Sequence, residues 1–255
     1  WENFNGTIDE IRILNISLQS QDIMADYLRG VNRLYFQTRT GGYYDESNPR
    51  KILFMHFQKD ALDYSGRGND GVLLNNTLFS DGFLGAGVVF NGYSNFINIS
   101  NSGVLRPDLI TLSAFVNPAY ENGVYYIMGM ANGSSNAIDV YSLKIENGKL
   151  RFLIGNNVNI SGGRLTNNTF HHVVGSYNGK YAKIFVDGVV VNSTYAPGII
   201  SYAYAGDIFI GKKNDEANPE YFNGTIDEVS IYDYGMREDE VRLLYQNYLD
   251  WSEFG

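Results

Sequence analysis

Between Asp60 and Gly71 the chain concentrates oxygen donors: Asp60, Asp63, Asn69 and Asp70, in a run bent by Gly66, Gly68 and Gly71. Calcium takes about six to eight oxygens from carboxylates, amides and backbone carbonyls, so this run reads as part of a Ca2+ site. It reads equally as an Asx-turn loop carrying ordinary surface acids. The remaining candidates for chemistry are few. Cysteine is absent, which removes thiolate metal sites, cysteine nucleophiles and disulfides. The three histidines are His56, His171 and His172. The last two are neighbours on an extended segment and point to opposite faces, one toward the core and one toward solvent, so they cannot share a metal.

Glycoside hydrolysis needs two spaced carboxylates facing one cleft. Ile226-Asp227-Glu228-Val229-Ser230-Ile231 instead has adjacent acids, expected on opposite faces of a strand, and no other strand-like run carries spaced carboxylates. No G-x-S-x-G elbow occurs either. The chain therefore reads as a protein without catalytic activity. Sugar binding is carried by exposed aromatic faces beside amides and acids, for which Tyr120, Tyr125, Tyr126, Tyr202 and Tyr204 are the candidates. Aromatic residues also build strands and interfaces.

Asparagine is over-represented: 28 Asn stand with 27 Ser plus Thr in 255 residues. Chance would give roughly 3 Asn-X-Ser/Thr triplets. The sequence has nine, beginning at Asn5, Asn15, Asn75, Asn98, Asn132, Asn159, Asn167, Asn192 and Asn223, none with proline in the middle. Turn-forming composition produces some such triplets by itself. The excess reads as covalent N-glycans, which place the chain outside the cytoplasm, on a cell surface or in the medium. Many acceptor sites with no cysteine suit a prokaryotic, and in particular an archaeal, surface protein.

The net charge of −9 argues against nucleic acid or an anionic membrane as partner. No apolar run is long enough to span a membrane. The chain starts at Trp1 without a basic-then-apolar leader, and so reads as a processed form or a piece of something longer.

The elements that must position these residues are mostly strands. Ile110, Leu112, Ala114 and Val116 alternate with Thr111, Ser113 and Phe115. Asn147-Gly148, Asn178-Gly179 and Asp187-Gly188 each separate two strand-like runs, the signature of hairpins. Ile208–Gly211 and Ile226–Tyr232 are further strands. A spacing of about 8–12 residues between turns marks a sandwich or barrel. Arg237 to Leu249 is the one strong helix, with Val241, Leu244, Tyr245 and Tyr248 on one face and Glu238, Asp239 and Glu240 in its first turn. It is expected to cover one end of the sandwich.

Phe4-Asn5-Gly6-Thr7-Ile8-Asp9-Glu10 recurs verbatim as Phe222-Asn223-Gly224-Thr225-Ile226-Asp227-Glu228. Residues 1–30 thus copy the strand and helix that close the main domain, without the strands that should precede them. Residues 31–50 read as a linker, with a short strand at Leu34–Thr38, 51–250 as the sandwich and 251–255 as a tail. A lone strand exposes unpaired backbone groups and must find a partner. Residues 1–30 end a preceding repeat, pack on their own domain, or insert into a neighbour through Phe4, Ile8, Ile11 and Ile13, the last giving a head-to-tail polymer.

Several stretches resemble, in order, the laminin-G-like family of concanavalin A-like jelly rolls. Asp63-Tyr64-Ser65-Gly66-Arg67-Gly68-Asn69-Asp70-Gly71 is similar to its D-x-S-G-x-G-N-x-G turn. Gly87–Gly92 is similar to A-L-x-F-N-G, and Leu109–Pro118 to T-I-S-A-W-V-x-P. Phe170-His171-His172-Val173-Val174 through Asp187-Gly188 follows W-H-H-V-A…Y-V-D-G, with Phe170 in place of tryptophan. Phe222–Tyr245 resembles the closing F-x-G-x-I-D-E-V-x-I-Y and its helix. The resemblance covers about residues 50–248 and implies an all-β, two-sheet antiparallel jelly-roll β-sandwich with a short C-terminal helix. It also implies carbohydrate-, protein- or calcium-binding roles and a structural calcium at the Asp60–Gly71 turn, where Asp227 or Glu228 would add a carboxylate. The expected function is a non-catalytic, glycosylated, structural or adhesive surface protein assembling head-to-tail, with a calcium-dependent glycan- or protein-binding module of a larger surface protein as the alternative.

Overall fold

In a computed structural model the chain divides into two units, Trp1–Asp45 and Glu46–Gly255. The structure describes residues 48–252 apart from 120–122, 132–137, 204, 214 and 216. The strand expected at Leu34–Thr38 and the copied segment lie outside the described residues.

Among the described residues fifteen strands form two antiparallel sheets. They are β1 (Lys51–Met55), β2 (Gly71–Leu74), β3 (Leu78–Asp81), β4 (Ala86–Asn91), β5 (Phe96–Ile99), β6 (Ile110–Pro118), β7 (Val124–Ala131) and β8 (Asp139–Glu146). Then follow β9 (Lys149–Ile154), β10 (Val158–Arg164), β11 (His171–Tyr177), β12 (Tyr181–Val186), β13 (Val189–Tyr195), β14 (Ile208–Ile210) and β15 (Asn223–Tyr232). One sheet runs β13-β12-β11-β6-β15-β4-β3, with β1 also paired to β15; the other runs β10-β9-β8-β7-β14-β5-β2. The jelly-roll sandwich expected from the sequence is the fold observed.

Period-two alternation sends one side of each strand into a shared core, where Leu112, Ala114, Val116, Ile97, Ile99, Leu143, Phe152, Ile208 and Ile210 are fully buried or nearly so. The hairpins follow turn chemistry. Asn147-Gly148 (φ +50°, +72°) and Asp187-Gly188 (φ +51°, +74°) take the left-handed conformations that match strand twist in two-residue turns. At Asn178-Gly179 the loop is longer, and Asn178 Oδ1 accepts the Lys180 and Tyr181 N–H groups at 3.1 and 2.8 Å.

The helix α1 (Glu238–Ser252) lies elsewhere than expected. It covers the outer face of the β1-containing sheet, not the end of the sandwich. Val241 packs with Val174, Phe185 and Tyr232, and Tyr248 with Phe115 and Leu84. The outward positions of β6, β11 and β15 carry these apolar residues, and only a third layer can bury them. The acids of its first turn sit at the positive end of the helix dipole, and Glu240 Oε2 accepts the Arg237 N–H at 2.8 Å.

Candidate functional site

The Asp60–Gly71 turn is built from its own carboxylates. Asp63 Oδ1 accepts the N–H groups of Phe54 (3.0 Å) and Ser65 (2.9 Å), and Oδ2 that of Asn69 (2.9 Å). Asp70 Oδ1 accepts the Asp63 N–H (2.8 Å), and Asp60 accepts the Leu62 N–H and the Tyr64 hydroxyl. Asn69 donates to the Ile52 carbonyl at 3.0 Å and accepts from Ser102 Oγ at 2.8 Å. With the Tyr64 N–H on the Phe54 carbonyl (2.8 Å), these contacts close the second edge of β1. Asp227 and Glu228 belong to a different place. Asp227 Oδ2 accepts the Leu84 N–H (3.0 Å) and Oδ1 the Glu228 N–H (2.8 Å), and both acids are fully buried under α1. Among the described residues no group of three or more His, Asp or Glu is arranged to hold a metal ion. The expected set Asp60, Asp63, Asn69, Asp70, Asp227 and Glu228 is therefore not one ligand shell. Its turn members have oxygens that accept from N–H and O–H donors, as in the second reading of that turn.

A β-bulge explains the position of the two acids. The β15–β6 register shifts between Asp227 and Ser230, and Glu228 is left-handed at φ +51°. Ile226 and Val229 consequently both enter the core. The acids between them do not alternate across the sheet, as expected, but both turn to the layer under α1. Burial raises the Asp227 carboxyl to about 7, against backbone N–H donors that pull it down. Burial, then the neighbouring Asp227 charge, raises Glu228 well above the carboxylate range, tempered by Lys51 and the Tyr248 hydroxyl. Neither acid reaches solvent, so neither can serve a hydrolytic cleft.

The histidine pair also departs from expectation. His172 is buried, but on the α1 side, stacked on Phe115 and Tyr245, with Nε2 2.9 Å from Ser113 Oγ; burial drives it down to about 3. His171 is half-buried between Asp187 Oδ2 (Nδ1, 2.8 Å) and Thr166 Oγ1 (Nε2, 2.8 Å). The Thr166 N–H shares the same Nε2 at 3.1 Å, so the ring pins the β10–β11 loop.

Among the described residues, the tyrosines expected to stack sugars, Tyr125, Tyr126 and Tyr202, do not form an exposed platform. Tyr126 is fully buried with its hydroxyl on Asp139 Oδ1 (3.1 Å), Tyr125 packs against the core, and Tyr202 donates to the Pro107 carbonyl (2.6 Å). Burial raises both the Tyr126 and the Tyr202 hydroxyl. Tyr120 and Tyr204 lie outside the described residues. A different aromatic group occupies the outer face of the β10-to-β2 sheet. Because Ile97, Ile99, Ile208 and Ile210 point inward, Phe96 and Phe209 point outward, with ring centroids 5.6 Å apart. Lys212 Nζ lies 4.6, 5.9 and 5.7 Å from the rings of Phe96, Phe209 and Tyr221. All four are half-buried. Beside them Lys144 Nζ binds Glu220 at 3.2 Å and approaches Asp139 at 3.9 Å. The alternation Phe96-Ile97-Asn98-Ile99 and Ile208-Phe209-Ile210 carried the signal for this cluster.

The acceptor asparagines divide by exposure. Asn75, Asn159 and Asn192 are exposed, whereas Asn98, Asn167 and Asn223 are half-buried. Asn98 Nδ2 is bound to Asp207 Oδ2 at 3.2 Å. Asn5, Asn15 and Asn132, and the assembly residues Phe4, Ile8, Ile11 and Ile13, lie outside the described residues.

Two antiparallel sheets in jelly-roll order, with polar and aromatic side chains presented on one outer face, define a lectin- and glucanase-like sandwich. The match is specific: residues 91–242 fit the laminin-G-type model of the concanavalin A-like lectin/glucanases superfamily, and the chain belongs to that superfamily. Among solved structures it is similar to domain 4 of AbnA, an extracellular GH43 arabinanase from Geobacillus stearothermophilus, in complex with arabinotriose. The identity is 19%, the TM-score 0.64, and the match covers 77% of this chain and 98% of that one. It is similar to the binding domain of Paraclostridial Mosquitocidal Protein 1 (15%, TM-score 0.63, 80% and 53% covered). The botulinum neurotoxin DC binding domain, in complex with rat synaptotagmin II, is comparable (14%, TM-score 0.62, 78% and 52% covered). This chain thus spans about half of each toxin domain. A search of curated proteins gives no match. Among the described residues no helix is long and apolar enough to cross a membrane.

Proposed function

We propose that the chain is a non-catalytic, extracellular, N-glycosylated recognition and adhesion domain that binds carbohydrate through Phe96, Phe209, Lys212 and Tyr221. The half-buried aromatic group around Lys212 carries this reading, since rings offer stacking faces while Lys212 and Glu220 offer directional hydrogen bonds. The similarity to an arabinanase domain solved with arabinotriose makes that sugar the first to try. Asp139 and Glu220 both face Lys144, which suits binding better than the free acid and base of a hydrolase. Glycan-array binding followed by titration calorimetry tests the proposal. Phe209→Ala and Tyr221→Ala should each weaken the best ligand about tenfold, the order of one lost stacking contact. A domain that binds no glycan, or variants that bind as the parent does, would end it.

A second reading, head-to-tail self-assembly, is favoured by the repeat. In and just before β15 the counterparts of Phe4, Ile8, Ile11 and Ile13 are Phe222, Ile226, Val229 and Ile231, all fully buried in the core. The copied residues are those that fit a slot between strands like β4 and β6. Arg12 stands where Ser230 is fully buried, so the accepting slot must solvate or pair a guanidinium there. Removing residues 1–30 should abolish polymers seen by electron microscopy while the sandwich keeps its circular dichroism. Truncated protein that polymerises normally would refute this assembly.

A further inference from the structure

A two-sheet sandwich that does not close into a barrel leaves sheet edges with unpaired N–H and C=O groups, ready to pair with another chain. Among the described residues the terminal strands are β13 and β3 in one sheet and β10 and β2 in the other. They meet in two seams. At one, β10 and β13 lie side by side, with Asn192 Nδ2 donating to the Ser161 carbonyl at 2.8 Å. At the other, the Leu74–Leu78 connection passes from β2 to β3.

These edges have only part of the usual protection: β2 and β3 are short, β3 ends in Asp81, β10 ends in Arg164 and the β12–β13 register shifts once, but neither β13 nor β2 carries a charge. β13 reads Val-Val-Val-Asn-Ser-Thr-Tyr, with no charge and no proline, and Val189 and Tyr195 are exposed by 63% and 60%. β2 reads Gly-Val-Leu-Leu, and Val72 and the Leu78 that opens β3 are exposed by 58% and 67%. Short uncharged runs of β-branched and aromatic residues on an open edge are aggregation-prone. The fifth free edge, that of β1, is covered by the Asp60–Gly71 turn.

The exposed acceptor asparagines coincide with these seams. Asn159 is on β10, Asn192 is in the middle of β13, and Asn75 is in the β2–β3 connection. The half-buried acceptors sit elsewhere: Asn98 on β5 and Asn223 on β15, both interior strands, and Asn167 in the β10–β11 loop. From this coincidence we infer that N-linked glycans on Asn75, Asn159 and Asn192 are the guards of the open sheet edges, and that these three are the occupied acceptors of the described sandwich. The chemistry is compatible with the fold. Transfer of the sugar from a lipid-linked glycosyl phosphate breaks the glycosyl–phosphate bond, releases the lipid phosphate and one amide proton, and forms the N–C bond; the remaining N–H can still donate to Ser94 O from Asn75 (3.0 Å) or to Ser161 O from Asn192. A hydrated, bulky glycan at each seam excludes an incoming strand, which charged residues would do in another sandwich.

This inference rests on the glycosylation proposed above, and the test separates the two. The full chain is secreted from a glycosylating host, its glycopeptides are mapped by mass spectrometry, and self-association is followed by light scattering and thioflavin T. Glycans are expected on Asn75, Asn159 and Asn192, and the N75Q/N159Q/N192Q variant should gain about an order of magnitude in thioflavin-positive aggregate. The N98Q/N167Q/N223Q variant should remain as the parent. The wild-type chain from a non-glycosylating host should aggregate like the edge variant, and Val189→Lys, a charge on the same edge, should restore its solubility. Unmodified asparagines at the three positions would overturn the glycan reading itself. Occupied positions whose loss leaves association unchanged would overturn the edge role alone.

Discussion

Glu228→Gln is expected to stabilise the domain by about 2 kcal/mol at pH 8 and to leave it nearly unchanged at pH 5. Both buried acids have pKa values raised in the folded state, Asp227 to about 7 and Glu228 well above its ordinary value. For such groups the native state holds more protons than the unfolded chain above their unfolded pKa. Stability therefore falls as pH rises from that value through the folded one. For Asp227 the window runs from 3.8 to about 7; for Glu228 it opens at 4.5 and extends higher. His172, lowered from 6.5 to about 3, and His56, also lowered by burial, act oppositely: each costs stability as pH falls below 6.5. Above 6.5 neither imidazole opposes the acids, so the wild-type domain should lose stability from pH 6.5 to pH 8. Asp215 and Asp239, with lowered values, act only below the acid end of that window. Glutamine removes the Glu228 titration while preserving size and the left-handed backbone. Urea unfolding at pH 5, 6.5 and 8 measures the effect, and a variant whose slope with pH matches the wild type would contradict it.

The same two residues show what could and could not be read from the sequence. The sandwich was legible because Ile110–Val116 and the Asn-Gly and Asp-Gly turns are local signals that tertiary contacts reinforce. The helix was legible as an element but not in its docking, which depends on Phe115, Val174 and Tyr232 being outward on three different strands. Asp227 and Glu228 were placed on opposite faces by strict alternation, and one bulge residue overturned that. The Asp60–Gly71 turn looked like an ion site because a calcium shell and a set of Asx turns use the same residues; only donor positions separate them. The candidate binding face was missed for a related reason. Tyr126 has sugar-site composition but is buried, and the Tyr202 hydroxyl is held by the Pro107 carbonyl, while Phe96, Phe209 and Tyr221 are brought around Lys212 by strands and a bridge distant in sequence.

Gly224→Ala is expected to cost about 3–5 kcal/mol, enough to unfold a marginal domain. Gly224 sits near the start of β15 at φ +135°, a conformation essentially closed to residues with a side chain. A Cβ there would stand 2.1 Å from the Asn117 carbonyl oxygen and 3.1 Å from the Ala119 nitrogen. Both are backbone atoms of the β6 end, to which Gly224 pairs through Pro118, so neither can swing aside as a side chain could. Relief would require β15 to withdraw from β6, and β15 also holds β1 and β4. The strain and the lost pairing would therefore add at the strand on which the sheet is centred. Gly66→Ala is the control: its φ is +78°, but no atom lies within 4 Å of the added Cβ, so only a left-handed penalty of about 1 kcal/mol applies. Urea midpoints of the two variants decide the matter. Comparable losses would mean that backbone conformation alone, and not the approach to β6, makes glycine necessary at 224. The verbatim copy retains glycine at position 6, and a strand built for the same kind of slot would need it there for the same steric reason.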